Sequence, residues 1–346
     1  MQHRKLAKTD ISVSNICLGT MTYGRDLDDA AAFAQMDYAL DHDVNFFDVA
    51  EMYPVPTSPD DQGASEATLG RWFAKTGRRD EVVLATKVVG PGDMSKQHLG
   101  RDFAFSRSSI KDAVEQSLKR LQTDYIDLYQ LHWPDRHTNC FGRLNYAHKP
   151  EQDGAQLEES LAALTELVAE GKLRAIGLSN ETPWGLMKSL NLSETKGMAR
   201  VASVQNPFNL LNRTAEVGLA EVMHREEVSF LPYSPLAFGV FSGKYFGGAR
   251  PEGARMTRYP VFARYFTENG IKATEAYHAL AKAHGIDPCM MALAWVNQHP
   301  VVTSNIIGAS TMAQLEMDIA SAEVVLSDEL LSAIDEIHTR LPNPCP

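Results

Sequence analysis

The sequence predicts an α/β fold, a (β/α)8 TIM barrel with an N-terminal hairpin and long loops at the C-terminal face of the strands. Short apolar runs alternate with helical patterns throughout the 346 residues. Eight such runs can be counted, and they are mostly apolar along their length, as parallel strands covered on both faces are. No linker divides the chain, so we expect a single domain over residues 1–346. An open doubly wound sheet is the structural alternative.

Composition and charge exclude several classes of function. The formal net charge is −11 at pH 7, so no basic field exists to displace the counterions of nucleic-acid phosphates. The sequence has no run of about 18 apolar residues, and we expect no membrane span. The first residues lack the apolar core of a signal peptide, and the four cysteines have no paired spacing. These features predict a cytoplasmic protein with reduced cysteines, no metal site and neither a nucleic-acid nor a membrane partner.

The predicted elements follow one another along the chain. A small hairpin over residues 6–13 precedes the first strand. The eight strands end just before Gly19, Asp48, Lys87, His132, Ser179, Gln205, Tyr233 and Gly308. Apolar residues at three- and four-residue intervals predict helices over 29–42, 157–171, 215–224, 271–284, 288–298, 311–322 and 328–341, with others beginning near 65, 106 and 183. Ser106 is predicted to cap one helix and Gly171 to end another. Irregular segments are predicted from Lys87 to about Phe105, over 133–156, and in a Gly- and Arg-rich insertion that ends near 269.

Four polar side chains follow the ends of three neighbouring predicted strands: Asp48, Tyr53, Lys87 and His132. Each one alone has an ordinary structural explanation, as a turn residue, a loop aromatic, a solvated cation or a structural histidine. In a (β/α)8 barrel, however, all strands end at the face where active sites form. We therefore expect the four side chains to meet and to form a proton-handling set.

Several segments resemble motifs of the aldo-keto reductase family, and in particular of its bacterial Tas protein branch. At the strand ends these segments are Gly19-Thr20-Met21, Asp48-Val-Ala-Glu-Met-Tyr53, Lys87, Leu131-His132, Ile176-Gly-Leu-Ser179-Asn180, Gln205-Asn206 and Tyr233-Ser-Pro-Leu236. The segments similar to the Tas branch are Leu121-Gln-Thr-Asp-Tyr-Ile-Asp-Leu-Tyr, His132-Trp-Pro and Asn206-Pro-Phe-Asn-Leu-Leu-Asn-Arg. The resemblance covers essentially the whole chain and implies the barrel that the strand count predicts.

The resemblance implies reduction of a carbonyl group, with Tyr53 as the proton donor. Hydride delivery to a carbonyl carbon leaves an alkoxide, which needs a proton and electrostatic stabilisation. Lys87, paired with Asp48, is expected to lower the pKa of the phenol, because a nearby ammonium favours the phenolate. His132 would orient the carbonyl or share in proton relay. Glu51 is then expected to be a loop residue with no assigned role.

The hydride must come from a cofactor, because no side chain supplies one. No Gly-x-Gly-x-x-Gly follows the first strand, and residues 239–244 lack the spacing and the Ser or Thr of a kinase phosphate loop. The resemblance implies NADPH, with NADH less expected, and a loop over its pyrophosphate at 239–244. The implied contacts are Gly19, Thr20, Met21, Asp48, Ser179, Asn180, Gln205, Tyr233, Ser234, Pro235, Leu236, Gly239, Gly243 and Lys244, with Ser179, Asn180 and Gln205 at the nicotinamide carboxamide and Tyr233 stacked on the ring.

At the adenosine end, the resemblance implies contacts from Gly308, Ser310, Gln314, Asp318 and Arg255. The fixed cationic fork of Arg255 makes it the expected partner of the 2′-phosphate. Two features depart from the family pattern. Many NADPH-preferring members carry a basic residue near position 310 or 311, where this chain has Ser310-Thr311, and related proteins commonly have Asn at the position of Asp318. An added carboxylate there would repel a 2′-phosphate.

A small aldehyde or ketone is the expected partner, with Tyr23, Met52 and Trp133 as candidate pocket walls, and a homo-oligomer is left open. Two other functions compete with this hypothesis. A regulatory subunit resembling the beta subunits of potassium channels would hold the cofactor as a redox sensor. A barrel hydrolase using Asp48 and Glu51 would bind no nicotinamide cofactor.

Overall fold

The strands of the chain form one small antiparallel pair and one parallel sheet, in a computed structural model that describes residues 1–92 and 104–346. In chain order they are β1 His3–Lys5, β2 Ser12–Ser14, β3 Ile16–Gly19, β4 Phe46–Asp48, β5 Val83–Val88, β6 Ile126–Leu131, β7 Leu173–Ser179, β8 Val201–Gln205, β9 Ser229–Phe230 and β10 Asn305–Ile307. Strands β3 to β9 lie side by side in chain order, and β10 pairs with β3. Bridges from Phe230 to Val302 and from Tyr233 to Ile306 join the two edges of the sheet. The predicted (β/α)8 barrel is therefore confirmed.

Helices follow most of the parallel strands and form the outer layer. Their bounds are Asp29–Asp41, Ala64–Thr76, Arg107–Leu121, Leu157–Ala169, Pro183–Lys196, Leu219–Glu226, Arg255–Arg258, Glu268–Ala283, Pro288–Gln298, Met312–Ala320 and Asp328–Arg340. Ser106 caps its helix as predicted, by accepting the N–H of Ser109. Gly171 has a φ of 76° after the helix Leu157–Ala169, as a glycine that ends a helix does. No helix in the described ranges is both long and apolar enough to cross a membrane.

The N-terminal hairpin is present, but its strands have different bounds from those predicted. Its strands are β1 and β2, so much of the predicted segment 6–13 forms the turn, which the Leu6 N–H closes by donating to the Ile11 carbonyl at 2.9 Å. The side chains of Leu6, Ile11 and Val13 are buried against the residues that fill the barrel interior. The hairpin thus covers the floor of the barrel, and burial, more than strand alternation, explains its apolar residues.

Local backbone chemistry explains the other differences. The strand predicted before Tyr233 is only two residues long, because Pro232 follows it closely and has no N–H to donate. The helix predicted over 215–224 is divided into the turn Thr214–Glu216 and the helix Leu219–Glu226, with Gly218 at a φ of 86° between them. The irregular stretch predicted between Lys87 and Phe105 lies partly outside the described residues.

Candidate active site

The four proton-handling candidates meet at the C-terminal face of the barrel. Parallel pairing places Asp48 opposite Ala85 and Lys87 opposite Gln130, so consecutive strands end at nearly the same height. His132 directly follows the last residue of β6, and its N–H donates to the Val88 carbonyl at 3.2 Å. The register of the sheet alone therefore brings together side chains that are far apart in sequence.

A buried ion pair lies at the centre of this site. Lys87 is fully buried, and its Nζ lies 2.5 Å from Asp48 Oδ1 and 2.8 Å from the Val49 carbonyl. The same Nζ lies 3.5 Å from the hydroxyl of Tyr53, which is half-buried. A buried cation needs a partner to offset its lost hydration. Here the partner is Asp48, and the ammonium is fixed beside the phenol.

The charges around this pair set the protonation states. Burial lowers the pKa of Lys87, but attraction by Asp48 and Tyr53 outweighs it, and the pKa is raised above its ordinary value. Burial also raises the pKa of Tyr53, and the opposing effect of Lys87 is smaller. Lys87 therefore lowers the pKa of the phenol as expected, but desolvation of a phenolate is the larger effect and the net direction is upward. Lys87 is an ammonium and Tyr53 a neutral phenol near pH 7.

His132 is a neutral imidazole in this environment. Burial, and secondarily the charge of Lys87, holds its pKa well below the usual range. Its ring lies edge-on to that of Tyr53, with 5.8 Å between centroids. Nδ1 is buried without a hydrogen-bond partner among the described residues. A neutral imidazole can donate one hydrogen bond, which suits a developing oxyanion.

Two glutamines complete the surroundings of Asp48. Gln205 Nε2 donates to Asp48 Oδ2 at 2.8 Å, and Gln130 Nε2 lies 3.3 Å from the same oxygen. Gln130 is not among the predicted site residues, although alternation along β6 places it beside Leu128 on the inner face. Thr20 supports the same residue from the other side, since its hydroxyl donates to the main-chain oxygen of Asp48 at 3.0 Å.

The carboxamide candidates at the end of β7 are bonded to one another. Asn180 has a φ of 52°, and its amide donates to the His132 carbonyl at 2.9 Å and to Ser179 Oγ at 3.2 Å. Its Oδ1 accepts from the Tyr233 hydroxyl at 2.7 Å. The Ser179 hydroxyl donates to the Gln205 carbonyl at 2.9 Å. The three strand ends are thereby fixed relative to His132.

The predicted pyrophosphate loop has an unusual backbone. Ala237, Phe238 and Gly239 all have positive φ, and the loop ends at Gly243 with a φ of 76°. Residues 234–236 lead into it, and the Ala237 N–H donates to the Ser234 carbonyl at 2.9 Å. The Gly239 N–H donates within the loop, to the Leu236 carbonyl at 2.8 Å, and successive positive φ angles form a concave backbone surface of the kind that anions fit.

Two cations, Arg255 and Lys244, lie at this loop, and neither forms an ion pair with an acid in the part of the chain that the structure describes. Arg255 packs over the Phe238 ring at 5.5 Å, and its guanidinium has no hydrogen bond or ion pair within the described residues. Burial and the charge of Arg255 lower the pKa of Lys244. A pair of partly buried cations that no carboxylate contacts within the described residues is a suitable site for phosphate groups.

The adenosine end contains an unpaired buried acid. Asp318 is 2% exposed, and its Oδ1 has no hydrogen-bond partner among the described residues. Burial raises the pKa of this carboxyl to about 8. A neutral carboxyl does not repel a phosphate. The replacement of the usual Asn by Asp318 is therefore a weaker argument against a 2′-phosphate than the sequence suggests. Nearby, Gln314 Oε1 accepts the Ser310 N–H at 2.8 Å, and Gly308 is exposed.

The three candidate pocket walls are placed differently. Trp133 lies beside His132, with 5.0 Å between ring centroids, and its indole N–H donates to the Pro91 carbonyl at 2.9 Å. Met52 is 7% exposed and packs in a small cluster with Ala50 and Val89. Tyr23 is fully buried, and its hydroxyl donates to Gln35 at 2.9 Å, so its side chain belongs to the core and we do not retain it as a wall.

The arrangement as a whole can hold a phenol proton and an ammonium beside a bound carbonyl group. No group of three or more potential metal ligands is present in the part of the chain that the structure describes. The proton-handling set and the cations near the loop lie on the same face, at the ends of different strands. Such a face suits a long, anionic, redox-active cofactor.

Comparison with known proteins indicates one family. A model of the Aldo/keto reductase family matches residues 15–339. Protein tas of Escherichia coli (strain K12) is 46% identical over 346 residues, which cover 100% of both chains. The uncharacterized oxidoreductase YrpG of Bacillus subtilis (strain 168) is 35% identical, over 97% of this chain and 96% of its own. A probable voltage-gated potassium channel subunit beta of Arabidopsis thaliana is 27% identical, over 99% of this chain and 98% of its own.

Proposed function

The chain belongs to the Aldo/keto reductase family, and we propose that it is an NADPH-dependent reductase of aldehydes or ketones in which Tyr53 donates the proton. One observation carries the proposal. The Tyr53 hydroxyl lies 3.5 Å from a buried ammonium, Lys87, which is itself held at 2.5 Å by Asp48. A phenol beside a buried ammonium supports proton delivery to an alkoxide, because the ammonium stabilises the phenolate that is left behind.

Each residue of the set has a distinct task in the proposed reaction. The bound cofactor supplies the hydride. Tyr53 gives its proton to the carbonyl oxygen, and Lys87 stabilises the phenolate that forms. Asp48 keeps Lys87 in place, and neutral His132 donates a hydrogen bond that orients the carbonyl. The raised pKa of Tyr53 supports this direction of transfer, because the donor starts protonated.

The cofactor would be held by residues at the ends of several strands and in the loop after β9. Arg255 and Lys244 would bind its phosphate groups, and the backbone around Gly239 would face the pyrophosphate. Tyr233 would stack on the nicotinamide, next to Asn180. Asp318, when protonated, can both donate and accept, as an asparagine does, and would do so toward the adenine.

The substrate is proposed to be a small carbonyl compound, with the Trp133 indole as a wall of its pocket. Trp133 is suited to this task because its position is fixed by Pro91 and by packing over Gly90. We also propose a reducing cytoplasmic setting, in which Cys17, Cys140, Cys289 and Cys345 stay as free thiols.

A redox-sensing subunit is the second candidate, favoured by the similarity to a probable potassium channel subunit beta. The two functions make different predictions for turnover. NADPH oxidation should be followed with a panel of aldehydes, for the wild type and for Tyr53→Phe. We expect turnover by the wild type, a loss of about 100-fold or more in the variant, and equal NADPH affinity of the two proteins.

Two results would count against the reductase. NADPH binding without turnover on any aldehyde or ketone would favour the sensor. Absence of NADPH affinity in a fluorescence titration would refute both cofactor-based functions.

A further inference from the structure

Glu51 lies in a turn, as expected, within the segment that joins Asp48 to Tyr53, and its side chain is fully buried. The main chain of this segment continues to pair with β5 beyond the end of β4. The Val49 N–H donates to the Ala85 carbonyl at 2.9 Å, and the Glu51 N–H donates to the Lys87 carbonyl at 3.1 Å.

The Glu51 side chain extends this pairing by one step. Its Oε2 accepts the Val89 N–H at 3.0 Å, at the point where the main chain turns away from the strand. That turn is closed by the Tyr53 N–H, which donates to the Ala50 carbonyl at 3.0 Å. The carboxylate therefore joins the turn that carries the phenol to the strand that carries the ammonium.

The charge of Glu51 has a counter-ion away from the reacting groups. Arg120, which binds Glu66 at 2.7 Å, is close enough to interact electrostatically with Glu51. Glu66 in turn accepts from the Thr86 hydroxyl at 2.6 Å, next to Lys87. The end of β5 is thus fixed by two buried carboxylates, of which only Glu51 also belongs to the turn bearing Tyr53.

We propose that Glu51 is a positioning residue for proton transfer, which sets the separation of the Tyr53 hydroxyl and Lys87 by accepting the Val89 N–H. The inference rests on the proposed reductase function. In this scheme Glu51 acts through the two segments that its side chain joins.

Two substitutions test this role. In Glu51→Ala the bond to Val89 is lost, and kcat for aldehyde reduction should fall by between about 10-fold and 100-fold, as small misplacements of reacting groups do. The dissociation constant for NADPH should stay within about twofold, because no proposed cofactor contact is removed. Glu51→Gln keeps an oxygen that accepts the same N–H, and its kcat should stay within about threefold of the wild type.

Asp127→Ala is the matched control. Asp127 is also a buried carboxylate that accepts an N–H of β5, that of Leu84 at 2.9 Å, but at the opposite end of the strand from Tyr53. The Asp127→Ala substitution should lower the midpoint of urea unfolding and leave kcat unchanged. Wild-type kcat in Glu51→Ala, or equal losses of kcat in both alanine variants, would overturn the proposal.

A crystal structure of Glu51→Ala gives a readout that does not depend on activity. We expect the distance from the Tyr53 hydroxyl to Lys87 Nζ to exceed 3.5 Å. An unchanged distance would overturn the positioning role. Failure of the wild type to turn over any carbonyl compound would instead refute the proposed function, so the two failures are distinguishable.

Discussion

The buried carboxyl of Asp318 makes the stability of the cofactor-free protein depend on pH, and Asp318→Asn should remove that dependence. Burial raises the pKa of this carboxyl from its ordinary 3.8 to about 8. Between these values the folded chain keeps the proton, whereas the unfolded chain releases it. The free energy of unfolding therefore falls as the pH rises through this window, by up to about 1.4 kcal/mol per pH unit.

Asparagine has nearly the same shape and cannot ionise, so the variant does not lose this stability. The free energy of unfolding of Asp318→Asn, minus that of the wild type, should therefore increase by up to about 3 kcal/mol between pH 5 and pH 7. Urea unfolding followed by tryptophan fluorescence, without cofactor and at several values between pH 5 and pH 8, measures the difference. Asp60→Asn, at an exposed position, is the control and should follow the wild type.

A difference between Asp318→Asn and the wild type that stays constant with pH would refute the reasoning. It would mean that the carboxyl is ionised in the folded chain, or that it finds a donor there. An increase of this difference in the free energy of unfolding by at least about 0.5 kcal/mol per pH unit would support the prediction.

Substitutions and pH changes at the catalytic face should separate the proposed roles. Lys87→Met leaves the buried carboxylate of Asp48 without its counter-ion, and the free energy of unfolding, measured with urea, should drop by about 3–5 kcal/mol. A near-normal value would contradict the stabilising role of this ion pair. Because Tyr53 must be protonated to donate and burial raises its pKa, the single-turnover rate of NADPH oxidation should stay constant up to at least about pH 9; a fall that begins near pH 7 would contradict this. Arg255→Gln should weaken NADPH binding by about 10-fold or more and NADH binding much less, whereas equal losses would assign the arginine to the pyrophosphate. A Cβ at Gly90 would overlap the Trp133 indole, so Gly90→Ala should change KM for the carbonyl substrate and leave the NADPH affinity unchanged. An unaltered KM would show that Trp133 does not line the substrate pocket.

The barrel and the meeting of its polar strand ends could be predicted from the sequence because both depend on periodicity. Apolar runs that end in Asp48, Lys87 and His132 specify parallel strands, and the sheet then brings their ends to one face. Strand alternation would also have identified Gln130 as an inward-facing partner of Asp48.

Other features could not be predicted because they depend on packing between distant segments. The direction of the Tyr53 pKa shift follows from a balance of burial against the charges of Lys87, Asp48 and Arg255, and burial cannot be read from residue types. Glu51 is assigned by its bond to Val89, which exists only because the chain turns away from β5 at that point. Tyr23 shows the opposite error, since an aromatic residue near a site motif proved to be part of the core.

Closure of the barrel depends on the strand that is synthesised last. β10 lies between β3 and the segment after β9, and so joins the beginning of the sheet to its end. During synthesis, β3 to β6 can pair and assemble the ammonium–carboxylate pair long before β10 leaves the ribosome. Until then the sheet has two open edges, β3 and β9, which can pair with other chains. A chain that ended before β10 would therefore contain every residue of the proton-handling set and would still present two unpaired sheet edges.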